Sequence, residues 1–191
     1  MALGEYAEAA GQYRKAYSRI PPKDRQQRGH VAAKMGHAYS RYASTARAVS
    51  AYRNALRYGS QDSTAQLDLA DLLRMQGNYK EAEALYQACL DSFPSTSRLE
   101  RGLRSAQSAP KALKEESAYT VKEARTFNGS RSDYCPAYMG IEAQQLYFSS
   151  TRPQATGNEL SGITAMKPGD LFFVAKDEKG KWKPIEKVEG I

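Results

Sequence analysis

The chain has 191 residues, 41% of them hydrophobic, and a formal net charge of +7. Its mean hydropathy is -0.68, and no apolar run approaches the ~20 residues that a membrane-spanning helix needs. Two cysteines, Cys89 and Cys135, are too few for a disulfide framework.

Met1-Ala2-Leu3-Gly4 leads directly into a helical pattern, without the charged and apolar regions of a signal peptide. A first helix is expected over Tyr6 to Arg19, ended by Ile20-Pro21-Pro22, because prolines cannot continue it. Lys23 to Gln27 reads as an insertion, or as an early start to a second helix that runs to about Tyr42. In that helix Gly36 marks a close approach to a neighbour. A third helix covers about Ser44 to Tyr58, and Gly59-Ser60-Gln61-Asp62-Ser63 ends it and caps the next. The fourth runs from Thr64 to Met75 with an apolar stripe of Leu67, Leu69, Ala70, Leu72 and Leu73. Gln76-Gly77-Asn78 turns the chain into a fifth helix, Tyr79 to Ser92, which stops at Phe93-Pro94. Ser95-Thr96-Ser97 caps a sixth, through Leu99, Leu103 and Ala106, with Arg98, Arg101 and Arg104 expected on its outer face.

One spacing recurs along these helices: Tyr6-x-x-Ala9-x-x-x-Tyr13-x-x-Ala16, Thr45-x-x-Ala48-x-x-x-Tyr52-x-x-Ala55 and Tyr79-x-x-Ala82-x-x-x-Tyr86-x-x-Cys89. From the second to the third every position advances by 34, and from the first to the second by 39. The 34-residue period resembles a tetratricopeptide repeat, a helix–turn–helix unit that stacks on copies of itself. It implies a mainly α fold, a solenoid of helix hairpins closed by a capping helix. The expected helical domain spans 1–116: a half repeat 1–22, repeats 24–62 and 63–94, and the capping helix 96–108. Because it opens at the turn of a repeat, the chain reads as an excerpt of a longer protein.

The inner wall of such an array is lined by the first helix of each unit. In this register it carries His30, Lys34, His37, Arg41, Asp68, Asp71 and Arg74, the candidate residues for binding a peptide or protein partner. The asparagines of a carboxylate-clamping tetratricopeptide groove are missing, so a groove for an extended or helical segment is the better reading. His30 and His37 are about 10 Å apart along their helix with no Cys, Asp or Glu beside them, and no metal is expected. Between Arg25 and Gln61 stand seven basic residues and no acidic one. That run is either a solvated helical face or a surface for an anionic partner such as an acidic protein, lipid A or a teichoic-type polymer. Nucleic acid is not expected, because no binding motif or aromatic platform accompanies the charge.

The composition changes near Ser108-Ala109-Pro110, and residues 117–191 turn strand-like. Leu146 to Ser150 and Asp170 to Ala175 read as strands, Lys176 to Lys181 as a tight turn with Gly180 left-handed, and Trp182 to Ile185 as the start of a third strand. The whole reads as a small antiparallel meander of about four strands. Asn128-Gly129-Ser130-Arg131-Ser132-Asp133-Tyr134-Cys135-Pro136-Ala137-Tyr138, then Leu146-Tyr147-Phe148-Ser149-Ser150-Thr151-Arg152, resembles the first blade of a WD40-like propeller. Gly157, Asp170, Phe172, Gly180, Trp182 and Pro184 fall in that pattern, and Cys135 departs from it at a small-residue site.

Tetratricopeptide repeats followed by this propeller resemble modular outer-membrane-associated proteins of the bacterial type IX secretion system, of the PorE type, which end in an OmpA-like peptidoglycan-binding domain. The resemblance implies a periplasmic, outer-membrane-associated scaffold with a lipoprotein anchor. It implies a secretion-system or cell-envelope protein as partner, and peptidoglycan contact only through a domain outside this chain. No nucleophile elbow, positioned carboxylate pair or metal cluster is present, so neither an enzyme nor a cofactor is expected. The alternative is binding of an anionic cell-envelope polymer through the basic 25–57 face.

Overall fold

A computed structural model of the chain describes residues 5–42, 44–60, 62–92, 94–115 and 119–189. The expected domain boundary at 116/117 lies outside the described residues, as do Met1 to Gly4, Gln61 of the cap and Phe93 of the helix stop. The chain divides into two compact units, 1–118 with 162–164, and 119–161 with 165–191.

Among the described residues the first unit holds six helices: α1 (Tyr6–Arg19), α2 (Arg25–Arg41), α3 (Thr45–Arg57), α4 (Ser63–Met75), α5 (Tyr79–Ser92) and α6 (Ser97–Ala112). The period sets their starts. Thr45 and Tyr79 are 34 apart, as are Ser63 and Ser97, and the caps Asp62 and Thr96 share that spacing. Asp62 accepts from the Thr64 N–H and Thr96 from the Leu99 N–H, each satisfying an orphan donor of the first turn. The last three residues of the insertion, Arg25 to Gln27, are helical. Asp24 accepts from the Gln27 N–H at 3.0 Å, so α2 begins a turn earlier than the period requires and has 17 residues against 13 in α4.

Helix α6 passes through Pro110 to Ala112, beyond the end expected at 108. Proline in the last turn removes one hydrogen bond, and the Leu113 N–H still reaches the Ala109 carbonyl at 2.9 Å.

Helices α2, α4 and α6 touch in succession and form the inner row, while α1, α3 and α5 pack on their outer side. The two rows meet through small residues and tyrosines. Ala32, Ala48, Ala55, Ala82 and Cys89 are buried around Tyr52 and Tyr86. A Cβ on Gly36 would stand 2.7 Å from the ring of Tyr52, so only glycine permits that approach. The two ends depart from this pattern. Ala16, the counterpart of the buried Ala55, is exposed. Arg104 and Gln107, the counterparts of Ala70 and Leu73, are exposed as well, so α6 turns a polar face outward where α4 buries an apolar one. This is a solenoid of tetratricopeptide-type hairpins with a capping helix.

The second unit is a four-stranded antiparallel sheet in the order β1 (Asp133–Met139), β2 (Gln145–Ser150), β3 (Asp170–Ala175), β4 (Glu186–Lys187). The third strand expected from Trp182 starts later. Trp182 makes only a bridge to Lys176, and pairing resumes at Glu186, because Pro184 has no N–H for the ladder. The turn before it is closed by Asp177, which accepts from the N–H groups of Lys179 and Lys181, with Gly180 at φ 75°. Between Tyr134 and Ala137 the β1–β2 register shifts, leaving Cys135 and Pro136 in a bulge, with Cys135 at φ 54°. The departure from the blade pattern is thus the left-handed residue of that bulge.

Leu146, Phe148, Phe172 and Val174 fill the buried face, and Phe127 and Trp182 pack against it, their own rings edge-to-face at 5.0 Å. Arg152 lies 4.8 Å from the Phe148 ring centroid and 5.1 Å from that of Phe172. It donates to Asp133, Ser150 and the Phe127 carbonyl. Tyr147 and Phe173 stack at 5.7 Å on the opposite face.

Candidate functional site

Among the described residues the inner row carries at least two clefts. The first, of about 820 Å³, is lined by Asp24, Gln26, Gln27, His30, Lys34, Gly59, Ser60 and Asp62. The extra turn of α2 raises one wall and the α3–α4 connection the other. His30 and Lys34 are one helical turn apart and form its floor. Its two carboxylates are committed to helix caps, Asp24 on α2 and Asp62 on α4. Burial pushes the Asp62 carboxyl up, but hydrogen bonds from Thr64 and the charge of Lys34 outweigh it, so the group lies below its ordinary range. Beyond its caps the cleft presents two amides and an imidazole, each able to donate or accept, and one ammonium group that only donates.

The second cleft, about 290 Å³, lies between α4 and α6 and is lined by Asp71, Arg74, Arg98, Arg101, Gly102 and Ser105. Asp71, Arg74 and Arg98 of this lining join one network with Asp68. Arg98 donates to Asp68 at 2.6 Å and through Nε and Nη2 to Asp71 at 2.8 and 2.5 Å. Tyr52 donates to Asp68 at 2.8 Å, and the Tyr86 hydroxyl donates to Asp71. Arg74 in turn donates to the Tyr86 oxygen at 3.2 Å and to Ser105 at 3.4 Å. Burial, reinforced by Asp71, pushes the Tyr86 phenol up to about 12. Tyr52 is raised by burial and by Asp68 in the same way. Both hydroxyls therefore stay protonated and donate throughout the physiological range.

The seven candidate residues are thus distributed unevenly. His30 and Lys34 share the first cleft, Asp71 and Arg74 share the second, and Asp68 joins them through Arg98. His37 is half-buried, and exposed Arg41 places its guanidinium 5.7 Å from the Tyr6 ring centroid; neither lines these two clefts. Arg98 and Arg101, expected on an outer face, instead line the inner cleft, because α6 keeps the phase of α2 and α4. Sequence reasoning also missed Gln26 and Gln27, whose signal was the insertion itself. Among the described residues no group of three His, Cys, Asp or Glu side chains converges as a metal site. Nor is any helix there long and apolar enough to cross a membrane.

Residues 34–96 match the tetratricopeptide repeat family, a stretch of about a third of the chain that contains α3, α4 and α5 entire. No curated protein matches the chain. Tetratricopeptide repeats serve protein–protein interaction, and stacked first helices supply the surface for it.

Proposed function

We propose that the chain is a non-catalytic scaffold whose inner clefts hold a segment of a protein partner, within a type IX secretion or envelope-anchoring assembly. The observation that carries the binding reading is the first cleft, where both carboxylates are tied into helix caps and His30, Lys34, Gln26 and Gln27 face the opening. Such a lining suits a segment rich in carboxylates and backbone carbonyls. The resemblance of residues 128–152 to a propeller blade supports a place in the periplasm against the outer membrane, anchored by parts outside this chain.

A photo-crosslinking residue at position 30 tests the cleft, with one at Ser50 on α3 as comparison. A discrete adduct with an envelope protein is expected from position 30 and lost on Lys34→Glu. Adducts indifferent to that substitution, or equally strong from position 50, would count against the cleft. Fractionation of the full-length gene product tests location, and recovery in the cytosol would remove the envelope reading.

A second reading is capture of an anionic envelope polymer by the basic 25–57 face. It draws on the acid-free run from Arg25 to Gln61, in which Arg53 is ion-paired, with Glu81 at 2.7 Å.

A further inference from the structure

We propose that Arg25, Arg28 and Arg57, gathered around the ring of Tyr58, form a binding site for a phosphate-type oxyanion. The inference rests on the basic-face reading, which it narrows to three side chains, and is independent of the inner clefts.

The extra turn of α2 builds the site. It places Arg25 and Arg28, three residues apart, on one side of the helix, facing the end of α3. There Arg57 is the last helical residue and Tyr58 the cap. The three guanidinium carbons lie 5.5, 5.3 and 5.7 Å from the Tyr58 ring centroid. Arg28 is the fixed member: it sits 4.4 Å from the Tyr17 centroid as well, and donates to the Ile20 carbonyl at 2.9 Å. Its Nε is buried and has no hydrogen-bond partner. Arg25 donates to the Arg57 carbonyl at 2.9 Å, and Arg57 to the Asn54 side chain.

Three cations on one ring repel one another, and among the described residues no carboxylate lies within ion-pair distance of any of them. Asp24, beside Arg25 in sequence, accepts from the Gln27 N–H at the start of α2. One cation over an aromatic face is an ordinary packing contact. Three around one ring, with no counter-charge among the described residues, make an arrangement that an anion relieves. Each guanidinium carries five N–H donors in a planar fork matched to phosphate oxygens, and most of these donors are uncommitted here. The surroundings agree: a hydrogen bond with Tyr17, followed by the charges of Arg28 and Arg57, holds the Tyr58 phenol below its ordinary value.

The phosphate could be soluble or carried on a lipid headgroup, and the test separates the two. The full chain is titrated with inorganic phosphate by calorimetry, and sedimented with phosphatidylcholine vesicles with and without phosphatidylglycerol. Saturable binding to one of these probes is expected, weakened about tenfold or more in an R25Q/R57Q variant, since both charge-assisted forks are lost. K111E/K114E, which removes at least as much positive charge from an exposed stretch at the far end of the unit, should keep it. Binding of phosphate but not vesicles supports the site with a soluble ligand, and competition between them supports a headgroup. Equal loss in both variants would leave only the general basic face and overturn the site. Absence of saturable binding to either probe would overturn the site and the basic-face reading together, leaving the partner cleft untouched.

Discussion

The ring of Tyr86 occupies the place where a side chain on Gly102 would begin. A Cβ at Gly102 would stand 2.5 Å from two ring carbons, and Tyr86 is fully buried. The ring cannot swing aside, because its hydroxyl is held by Asp71 and Arg74. Gly102→Ala should therefore destabilise the helical unit by about 1–3 kcal/mol through overpacking. That outcome runs against the ~1 kcal/mol that alanine gains over glycine in a helix interior. Gly11 in α1 is the control, since a Cβ there meets nothing within 4 Å, and Gly11→Ala should raise the urea midpoint. Midpoints moving in the same direction would contradict the packing argument.

Arg152 is the corresponding tie in the sheet unit. Its side chain is 11% exposed, lies beside Phe148 and Phe172, and pairs with Asp133 at 2.8 Å. Arg152→Leu would leave the Asp133 carboxylate without its buried partner, at a cost of about 3–5 kcal/mol. Trp182, the only tryptophan, packs on Phe127 in the same core, so its fluorescence reports loss of the sheet directly. An unchanged Trp182 transition in the variant would mean that Arg152 contributes little.

Asp170 makes the sheet sensitive to acid. A hydrogen bond from Lys187, then two from Thr156, hold its carboxyl at about 2. A carboxyl depressed on folding stabilises above its unfolded value near 4, and that contribution fades as pH falls toward 2. The urea midpoint followed at Trp182 should thus drop between about pH 4 and pH 2, and Asp170→Asn should flatten that part of the profile. A variant with the same acid slope would assign the sensitivity to another group.

The cysteines should differ sharply in reactivity. Cys89 is buried against the inner row, and burial, followed by Asp71, pushes its thiol up, whereas Cys135 is exposed in the β1 bulge. Iodoacetamide at pH 8 should alkylate Cys135 readily and reach Cys89 only after unfolding. Mass spectrometry of the folded protein modified at both sites would show that the helical core opens.

Much of the helical unit is legible from residue spacing. Tyr52, Tyr86 and the alanines around them recur because each unit must solve the same close helix–helix approach, and a constraint repeated every 34 residues leaves a repeated mark. Strands β2 and β3 are legible for a similar reason, their aromatic residues, with Val174 in β3, being local signals. Strand β1 is less so: Pro136 and the left-handed Cys135 interrupt its pattern, and only pairing with β2 makes it a strand.

The candidate clefts were legible as a helix face, and their partners were not. Periodicity puts His30 and Lys34 on one side of α2, but says nothing of Gly59, Ser60 and Asp62 opposite them. It likewise identifies Asp68 and Asp71 as wall residues, while their pairing with Arg98 spans 30 and 27 positions. By itself the sequence determined the six helices, strands β2 and β3, their order and the stacking period, because these follow from local steric rules acting within a few residues of one another. Tertiary structure alone decided which charges neutralise one another and which, as around Tyr58, stand together with no carboxylate partner among the described residues. Charge pairing depends on distances between separate helices, and those exist only once the helices have packed.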